Sequence, residues 1–304
     1  MSEFYYLQNN DALQGKIFFD KSLENLTWLK VGGKAKCLYI PKNKEDLALF
    51  LKDINAEVQI NVFGRLSNVL IRDGGISGIT ILIPPSFSRL EIHNNKIICG
   101  SGMLDRNISQ FACDNNIGGF EFLSGIPGNI GGAIAMNAGC YGDEIKDILE
   151  EVIILERDGT CKTYKNDQMD FSYRGSSINL DQIIVEASFL GISKNRSEIK
   201  KRINEIINTK EKSQPSNVAT GGSAFKNPKD AKAWELINAS GLSGYRIGGA
   251  MISPEHNNFF INTGSASAKD FERLGEFVIN EVENSHGIKL EWEIKLVGES
   301  LVSI

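Results

Sequence analysis

Gly125-Ile-Pro-Gly-Asn-Ile-Gly-Gly-Ala-Ile-Ala-Met-Asn-Ala-Gly-Cys-Tyr-Gly-Asp-Glu144 sets six glycines between Gly125 and Gly142. Glycine reaches positive φ and has no Cβ to hold a ligand away. Bare N–H groups in tight turns then face an anion such as a phosphate. The plainer reading of such a run is a strained structural loop packed on a sheet. The length of the run, with Met136-Asn137-Ala138 and Tyr141 among the glycines, favours a ligand.

The rest of the chain bounds what that ligand site belongs to. The 304 residues are 41% hydrophobic, enough for a substantial core and long for a single simple one. Two or three compact parts are expected. A formal charge of −5 gives no basic excess for neutralising nucleic-acid phosphates. Cys37, Cys99, Cys113, Cys140 and Cys161 are scattered, with no C-x-x-C, so neither a metal cluster nor a disulfide framework is expected. The start, Met1-Ser-Glu-Phe-Tyr-Tyr, has no basic or apolar leader region. No apolar run approaches the ~20 residues of a membrane span. The expectation is a soluble cytoplasmic protein with no nucleic-acid or membrane partner. No strongly apolar interface segment stands out, which points to a monomer.

Local patterns predict mixed α and β structure. Lys44 to Asp53 reads as a helix with Leu47, Phe50 and Leu51 on one face. Val58 to Phe63, Ile79 to Ile83 and Ile183 to Leu190 read as strands. Arg89 to Gly100 reads as a hairpin turning at Asn94-Asn95, and Val152 to Tyr164 as another turning at Asp158-Gly159. Leu104, Ile108 and Phe111 sit at helical spacing. Ser197 to Lys210 reads as an amphipathic helix and a domain connection, with Ile199, Ile203, Ile206 and Ile207 as its apolar stripe. Beyond it come a glycine-containing loop from Thr220 to Pro228, helices at Lys232 to Ala239 and Ala268 to Asn284, and a strand at Lys289 to Val297.

Several common chemistries fail. Gly100-Ser-Gly102 continues as Met103-Leu104-Asp105, so the G-x-G-x-x-G dinucleotide fingerprint is absent. There is no G-x-x-x-x-G-K-[ST] loop and no G-x-S-x-G elbow. His93, His256 and His286 lie far apart and form no H-E-x-x-H, so a metal site or histidine triad has little support. His93 reads as an exposed hairpin residue. His256 reads as either a structural or a site-shaping residue.

A set of motifs in a fixed order carries a family resemblance. They are Leu26-Thr-Trp-Leu-Lys-Val-Gly-Gly33, Ser67-Asn-Val-Leu-Ile-Arg-Asp-Gly-Gly75, the Gly125–Glu144 run, and Phe171-Ser-Tyr-Arg174. Then follow Gly222-Ser-Ala-Phe-Lys-Asn-Pro228, Gly241-Leu-Ser-Gly-Tyr-Arg-Ile-Gly-Gly-Ala250 and Leu290-Glu-Trp-Glu-Ile-Lys295. The chain resembles the UDP-N-acetylenolpyruvoylglucosamine reductase (MurB) family along nearly its whole length. The direct passage beyond Tyr173-Arg174 resembles the shorter subtype. The resemblance implies an α+β protein whose FAD-binding domain is of the vanillyl-alcohol-oxidase-like (PCMH) type, in two subdomains, with a C-terminal α+β substrate domain. The implied boundaries are 1-88, 89-196 and 197-290, with 291-304 returning to the first.

The implied cofactors are FAD and NADPH, and the implied small-molecule partner is a UDP-sugar. In the implied reaction, hydride passes from reduced FAD to C3 of the enolpyruvyl ether and a proton passes to C2. Arg174 matches the family's catalytic arginine, whose planar fork suits a carboxylate. Glu293 matches the catalytic glutamate, acting protonated as a donor, and Ser223 matches the proton donor. The motif alignment, rather than geometry, selects Glu293 over Glu291. Residues implied to hold FAD are Gly64, Arg65, Ser67, Asn68, Gly125, Ile126, Pro127, Gly128, Gly131, Gly132, Asn137, Ala138 and Gly139. Tyr173, Lys226 and Asn227 are implied to meet the substrate, and Lys212 is a weaker candidate.

One departure stands out. Where the family shows G-x-G-S-N, this chain has Gly64-Arg-Leu-Ser-Asn68. A Cβ at Leu66 either crowds the pyrophosphate or, where φ > 0 is required, strains the backbone by ~1–2 kcal/mol. Arg65 is a candidate to offset this by contacting phosphate. Two other readings stand beside the reductase: another FAD-linked oxidase of the same flavin fold, and a nucleotide-sugar-binding protein without catalysis.

Overall fold

The computed structural model describes residues 3–179 and 181–301. The chain forms two compact units. The first comprises residues up to Phe19, Cys37–Arg65 and Gly78–Lys210, and the second comprises Asp20–Lys36, Leu66–Ser77 and the chain from Glu211 onward. Helices and sheets mix in both, so the protein is α+β.

In the first unit, Cys161–Lys165, Leu149–Leu155, Ile183–Leu190, Lys96–Gly100 and Leu90–His93 lie in that order in one antiparallel sheet. Ile183–Leu190 is mostly buried on both faces, as a central strand of the sheet. Asn94 takes φ 55 at the tip of the last hairpin, a conformation asparagine tolerates. Ile97, Cys99, Val152, Ile154, Ala187 and Phe189 pack with Ile108 and Ala112 of the helix Asp105–Asp114. A separate cluster gathers Tyr39, Leu47, Phe50, Ile60, Ile79 and Ile81. There Ile60–Phe63 runs parallel to the strand Ile76–Leu82, with Ile60 opposite Ile79. The helix Lys44–Lys52 begins where the Asn43 side chain accepts from the Asp46 N–H.

In the second unit, Ala219–Ser223, Phe259–Asn262, Ala250–Ile252 and Arg246–Ile247 form an antiparallel sheet in that order. The helix Ala268–His286 packs in the same core through Phe271, Leu274, Val278 and Val282. Each such side chain contributes roughly 1.5–3 kcal/mol by burial. Ser267 and Asp270 form a capping box at its start, and Gly287 ends it at φ 67. The Asp73 carboxylate also accepts from the Ala268 and Lys269 N–H groups at 2.9 Å, adding negative charge where the helix dipole favours it. Gly275 lies on the buried face of this helix. A Cβ there would stand 1.9 Å from Cζ2 of Trp292, so the missing side chain admits the indole.

Three sequence expectations need correction. The Gly125–Glu144 run is not all loop, because Ile130–Ala135 is a short helix. The Thr220 to Pro228 segment begins as a strand, Ala219–Ser223, with irregular register between Thr220 and Ser223. The strand expected from Lys289 to Val297 is confined to Lys295–Val297, parallel to Val69–Ile71. Ahead of it, Trp292 packs its ring on Phe225 and Phe260, at centroid distances of 5.0 and 5.9 Å.

One buried group ties the first unit's stability to pH. Asp105 is fully buried, and neither of its carboxyl oxygens has a partner among the described residues. Burial raises its pKa well above the ordinary value of 3.8. The unfolded chain releases this proton above about pH 3.8 while the folded chain keeps it, so stability falls as pH rises from there. Asp105→Asn removes the effect. Relative to the parent, the variant is expected to gain stability with rising pH at up to about 1.4 kcal/mol per unit. Urea unfolding from pH 4 to 8 tests this, and parallel curves for the two proteins would refute it.

Candidate functional site

The glycine run is built against a second turn of the first unit. Gly131 N–H donates to the Ser101 carbonyl at 3.0 Å, and Ile130 N–H to Met103 at 2.9 Å. The Asn129 amide donates to the Gly102 carbonyl. A Cβ on Gly131 would lie 2.8 Å from that of Ser101, and one on Gly64 would lie 2.6 Å from Asn129 Oδ1. These two glycines are therefore needed for the backbones to approach. Gly132 differs, being exposed with nothing of the protein within 4 Å of where its Cβ would be. Gly128 takes φ 143. Gly125, Ile126, Pro127 and Gly139 are partly or fully exposed along the run, whereas Ala138 is buried.

Asn137 is fully buried at φ 45 and braces the run from inside. Its amide donates to Glu144 Oε2 at 2.7 Å and to the Ser172 carbonyl at 3.0 Å, and its oxygen accepts from Lys146 N–H. This bracing brings the Ser172–Gly175 turn to the run. Arg174, at φ 58, donates from Nη2 to the Gly139 carbonyl at 2.8 Å. Its guanidinium carbon also lies 5.0 Å from the centre of the exposed Tyr173 ring. The structure thus places Arg174 and Tyr173 beside the glycine run.

Gly64 and the exposed Arg65 belong to the first unit, and Leu66, Ser67 and Asn68 to the second. Leu66 does take positive φ, at 53, and is 5% exposed. A leucine stands in a conformation suited to glycine, and burial of its side chain offsets that strain.

The second unit holds the remaining candidates around one backbone pairing. Glu293 N–H donates to the carbonyl of Ala224, the residue after Ser223, at 2.8 Å. Lys226 N–H donates to the Glu291 carbonyl at 2.8 Å, and Asn68 Nδ2 to the Glu293 carbonyl at 3.1 Å. Gly222, at φ 83 with open space around it, precedes Ser223. Ser223 and Glu293 are half-buried, whereas Glu291 is exposed and lies 3.7 Å from Lys226 Nζ. Asn227 accepts from Ala233 N–H and so braces the helix Ala233–Ala239. Lys212 is exposed near the end of the helix Arg196–Ser213.

The sequence reading did not single out Asn129, which fastens the run to Gly102, and it preferred a solvated face to an anionic site for the lysines of the Ser197–Lys210 helix, of which Lys210 donates to the Gly125 carbonyl at 2.8 Å. It left His256 open. The ring packs edge-on to Phe259 at 4.7 Å, and burial lowers its pKa from 6.5, so it is a neutral packing residue at pH 7. His93 is an exposed hairpin residue. Among the described residues, no cluster of His, Cys, Asp and Glu could hold a metal ion, and no helix is long and apolar enough to cross a membrane.

Comparison with known proteins gives this geometry a context. Residues 35–165 match a family model described as an FAD binding domain. Residues 214–297 match one described as the C-terminal domain of UDP-N-acetylenolpyruvoylglucosamine reductase. The chain is 46% identical over 289 residues to the UDP-N-acetylenolpyruvoylglucosamine reductase of Rickettsia akari, covering 95% of this chain and 98% of the relative. It is 47% identical over 287 residues to that of Rickettsia conorii, covering 94% and 97%. The crystal structure of the Thermus caldophilus enzyme aligns with a TM-score of 0.79 at 32% identity, over 93% of this chain and 99% of that one.

The glycines fall into those that close backbone packing requires and one that is bare. Gly132→Ala is expected to keep or slightly raise the stability of the cofactor-free protein, since alanine in a helix is favoured by roughly 0.5–1 kcal/mol. It is also expected to weaken FAD binding about tenfold or more. Gly131→Ala, which meets Ser101, is expected to lower both. Flavin fluorescence titration with thermal melting reads the two effects, and unchanged FAD affinity in Gly132→Ala would remove Gly132 from the cofactor surface.

Proposed function

The chain belongs to the UDP-N-acetylenolpyruvoylglucosamine reductase family, and on that premise we propose that it reduces UDP-N-acetylenolpyruvoylglucosamine to UDP-N-acetylmuramate for peptidoglycan synthesis. The cofactor surface fits a dinucleotide flavin: backbone bared at Gly132, tight approaches at Gly64 and Gly131, and a lysine at Gly125. FAD, once reduced by NADPH, supplies the hydride for C3 of the enolpyruvyl group. Gly64, Arg65, Ser67, Asn68 and the Gly125–Gly139 positions hold it. In this reading Asn137 acts through the loop it braces.

The protein's own residues manage the charge and the proton. As C3 accepts hydride, negative charge grows at C2 and spreads into the carboxylate. Arg174 meets that carboxylate with a fork of donors, an arrangement worth most where the charge is developing. Its bond to Gly139 fixes its direction beforehand. Glu293, protonated, donates to the same carboxylate, and Ser223 delivers the proton to C2. The observation that carries this assignment is the 2.8 Å bond from Glu293 N–H to the Ala224 carbonyl, which sets the glutamate beside the serine's neighbour. The exposed Glu291, paired with Lys226, is left out of the chemistry. Lys226, Asn227 and Tyr173 are assigned to the UDP-sugar. The three-part division at 1-88, 89-196 and 197-290, a monomeric state and a cytoplasmic location complete the reading.

Absorbance of the purified protein tests the function as a whole. Flavin bands should bleach with anaerobic NADPH and return with the enolpyruvyl substrate. Bands that return only with oxygen would instead mark a flavin oxidase, and absence of flavin after FAD is added would mark a protein that only binds. Ser223→Ala is expected to leave reduction by NADPH nearly intact and to slow reoxidation by substrate ~10²–10⁴-fold, the usual worth of a positioned acid. Equal losses in the two stopped-flow half-reactions would remove its proton-donor role. Glu293→Gln should be less damaging than Glu293→Ala, and the reverse order would count against donation from this side chain.

A further inference from the structure

The helix Arg196–Ser213 carries its isoleucines at 199, 203 and 206 into the first unit's interior. Lys210 comes next on the same face. It is half-buried, and burial lowers its pKa from 10.5. Its ammonium donates to the Gly125 carbonyl, at the first residue of the glycine run. Among the described residues, no carboxylate lies within ion-pair distance of it. The same helix closes over Gly125 from another side, since a Cβ there would lie 3.0 Å from Ile206 Cγ2 and 2.9 Å from Cys140 Sγ. Cys140 Sγ in turn donates to the Phe122 carbonyl at 3.1 Å, holding the far end of the run to its beginning.

Other cations meet backbone carbonyls of this region, Arg174 at Gly139 and Arg202 at Tyr141. Arg202 is partly exposed and also lies 3.6 Å from Glu205. Lys210, on the helix's apolar face, differs from it in having only a carbonyl as partner. An ammonium has three N–H donors, and one carbonyl engages one of them. A sheltered charge of this kind is stabilised when an anion arrives nearby.

We propose that Lys210 is a positioning residue of the flavin site: its ammonium pins the Gly125 carbonyl and supplies positive charge to which an anionic group of the bound nucleotide is drawn. The inference rests on the FAD reading above. It adds to that reading a side chain from outside the glycine run, on a helix whose sequence reads as a connection.

FAD titration of the cofactor-free protein by flavin fluorescence, with melting curves of each variant, tests it. Lys210→Met is expected to weaken FAD binding about tenfold or more, as for a lost hydrogen bond to a charged group. Lys210→Arg should recover most of the loss, and Lys201→Met, on the exposed face of the same helix, should bind as the parent does. Raising ionic strength from about 0.01 M to about 1 M should weaken FAD binding more in the parent than in Lys210→Met. A merely structural lysine would lower the melting temperature and leave that salt dependence unchanged. Parent-like affinity and salt dependence in Lys210→Met would overturn the inference while leaving the FAD reading intact. A parent protein that takes up no FAD would overturn both.

Discussion

Two amide-to-carbonyl bonds, from Ile130 to Met103 and from Gly131 to Ser101, bring two glycine turns of the first unit into register. Buried backbone groups must find partners, so the run between Gly125 and Gly142 cannot be shaped by its own sequence alone. It takes its form from the turn that follows the strand Lys96–Gly100. Gly131 permits the approach, and Asn129 fastens it from the side. Asn137 then transmits the same order to the Ser172–Gly175 turn, so the place of Arg174 follows from bonds made far along the chain.

The second unit uses a related economy of means. The segment before Lys295–Val297 is not a regular strand, yet its backbone still pairs with residues 224 and 226. This keeps Glu293 near Ser223 while Glu291 stays exposed against Lys226. An argument from strict strand alternation would place both glutamates on one face. Their exposures differ because the backbone is irregular there, the N–H groups of Glu293 and Ile294 both pointing to the Ala224 carbonyl.

Much of this was legible in the sequence. Ile183–Leu190 is a strand as read, and the hairpin turns at Asn94 as read. The helix starts at Lys44 and Ala268 stand where they were read. Positive φ at Leu66 was foreseeable once that residue stood at a glycine position. What escaped was long-range. Asn129 was not singled out and Asn137 was read as a cofactor contact rather than a brace, because their partners at Gly102, Glu144 and Ser172 are named by tertiary structure only. Lys210 did leave a signal, since it continues an apolar stripe where a solvated lysine does not belong. Asp105 left a weaker one, next to the spacing of Leu104, Ile108 and Phe111.

The Gly275–Trp292 contact has a consequence for how this chain can vary. The indole occupies the space that any side chain at 275 would need, and Trp292 sits between the two glutamates. A larger residue at 275 displaces the ring and, through the backbone, the segment bearing Glu293. Lineages that alter one of these positions must alter the other, or let the glutamate drift. The two should therefore change hands together, as a single inherited unit, although one lies within a helix and the other in an irregular segment between two glutamates.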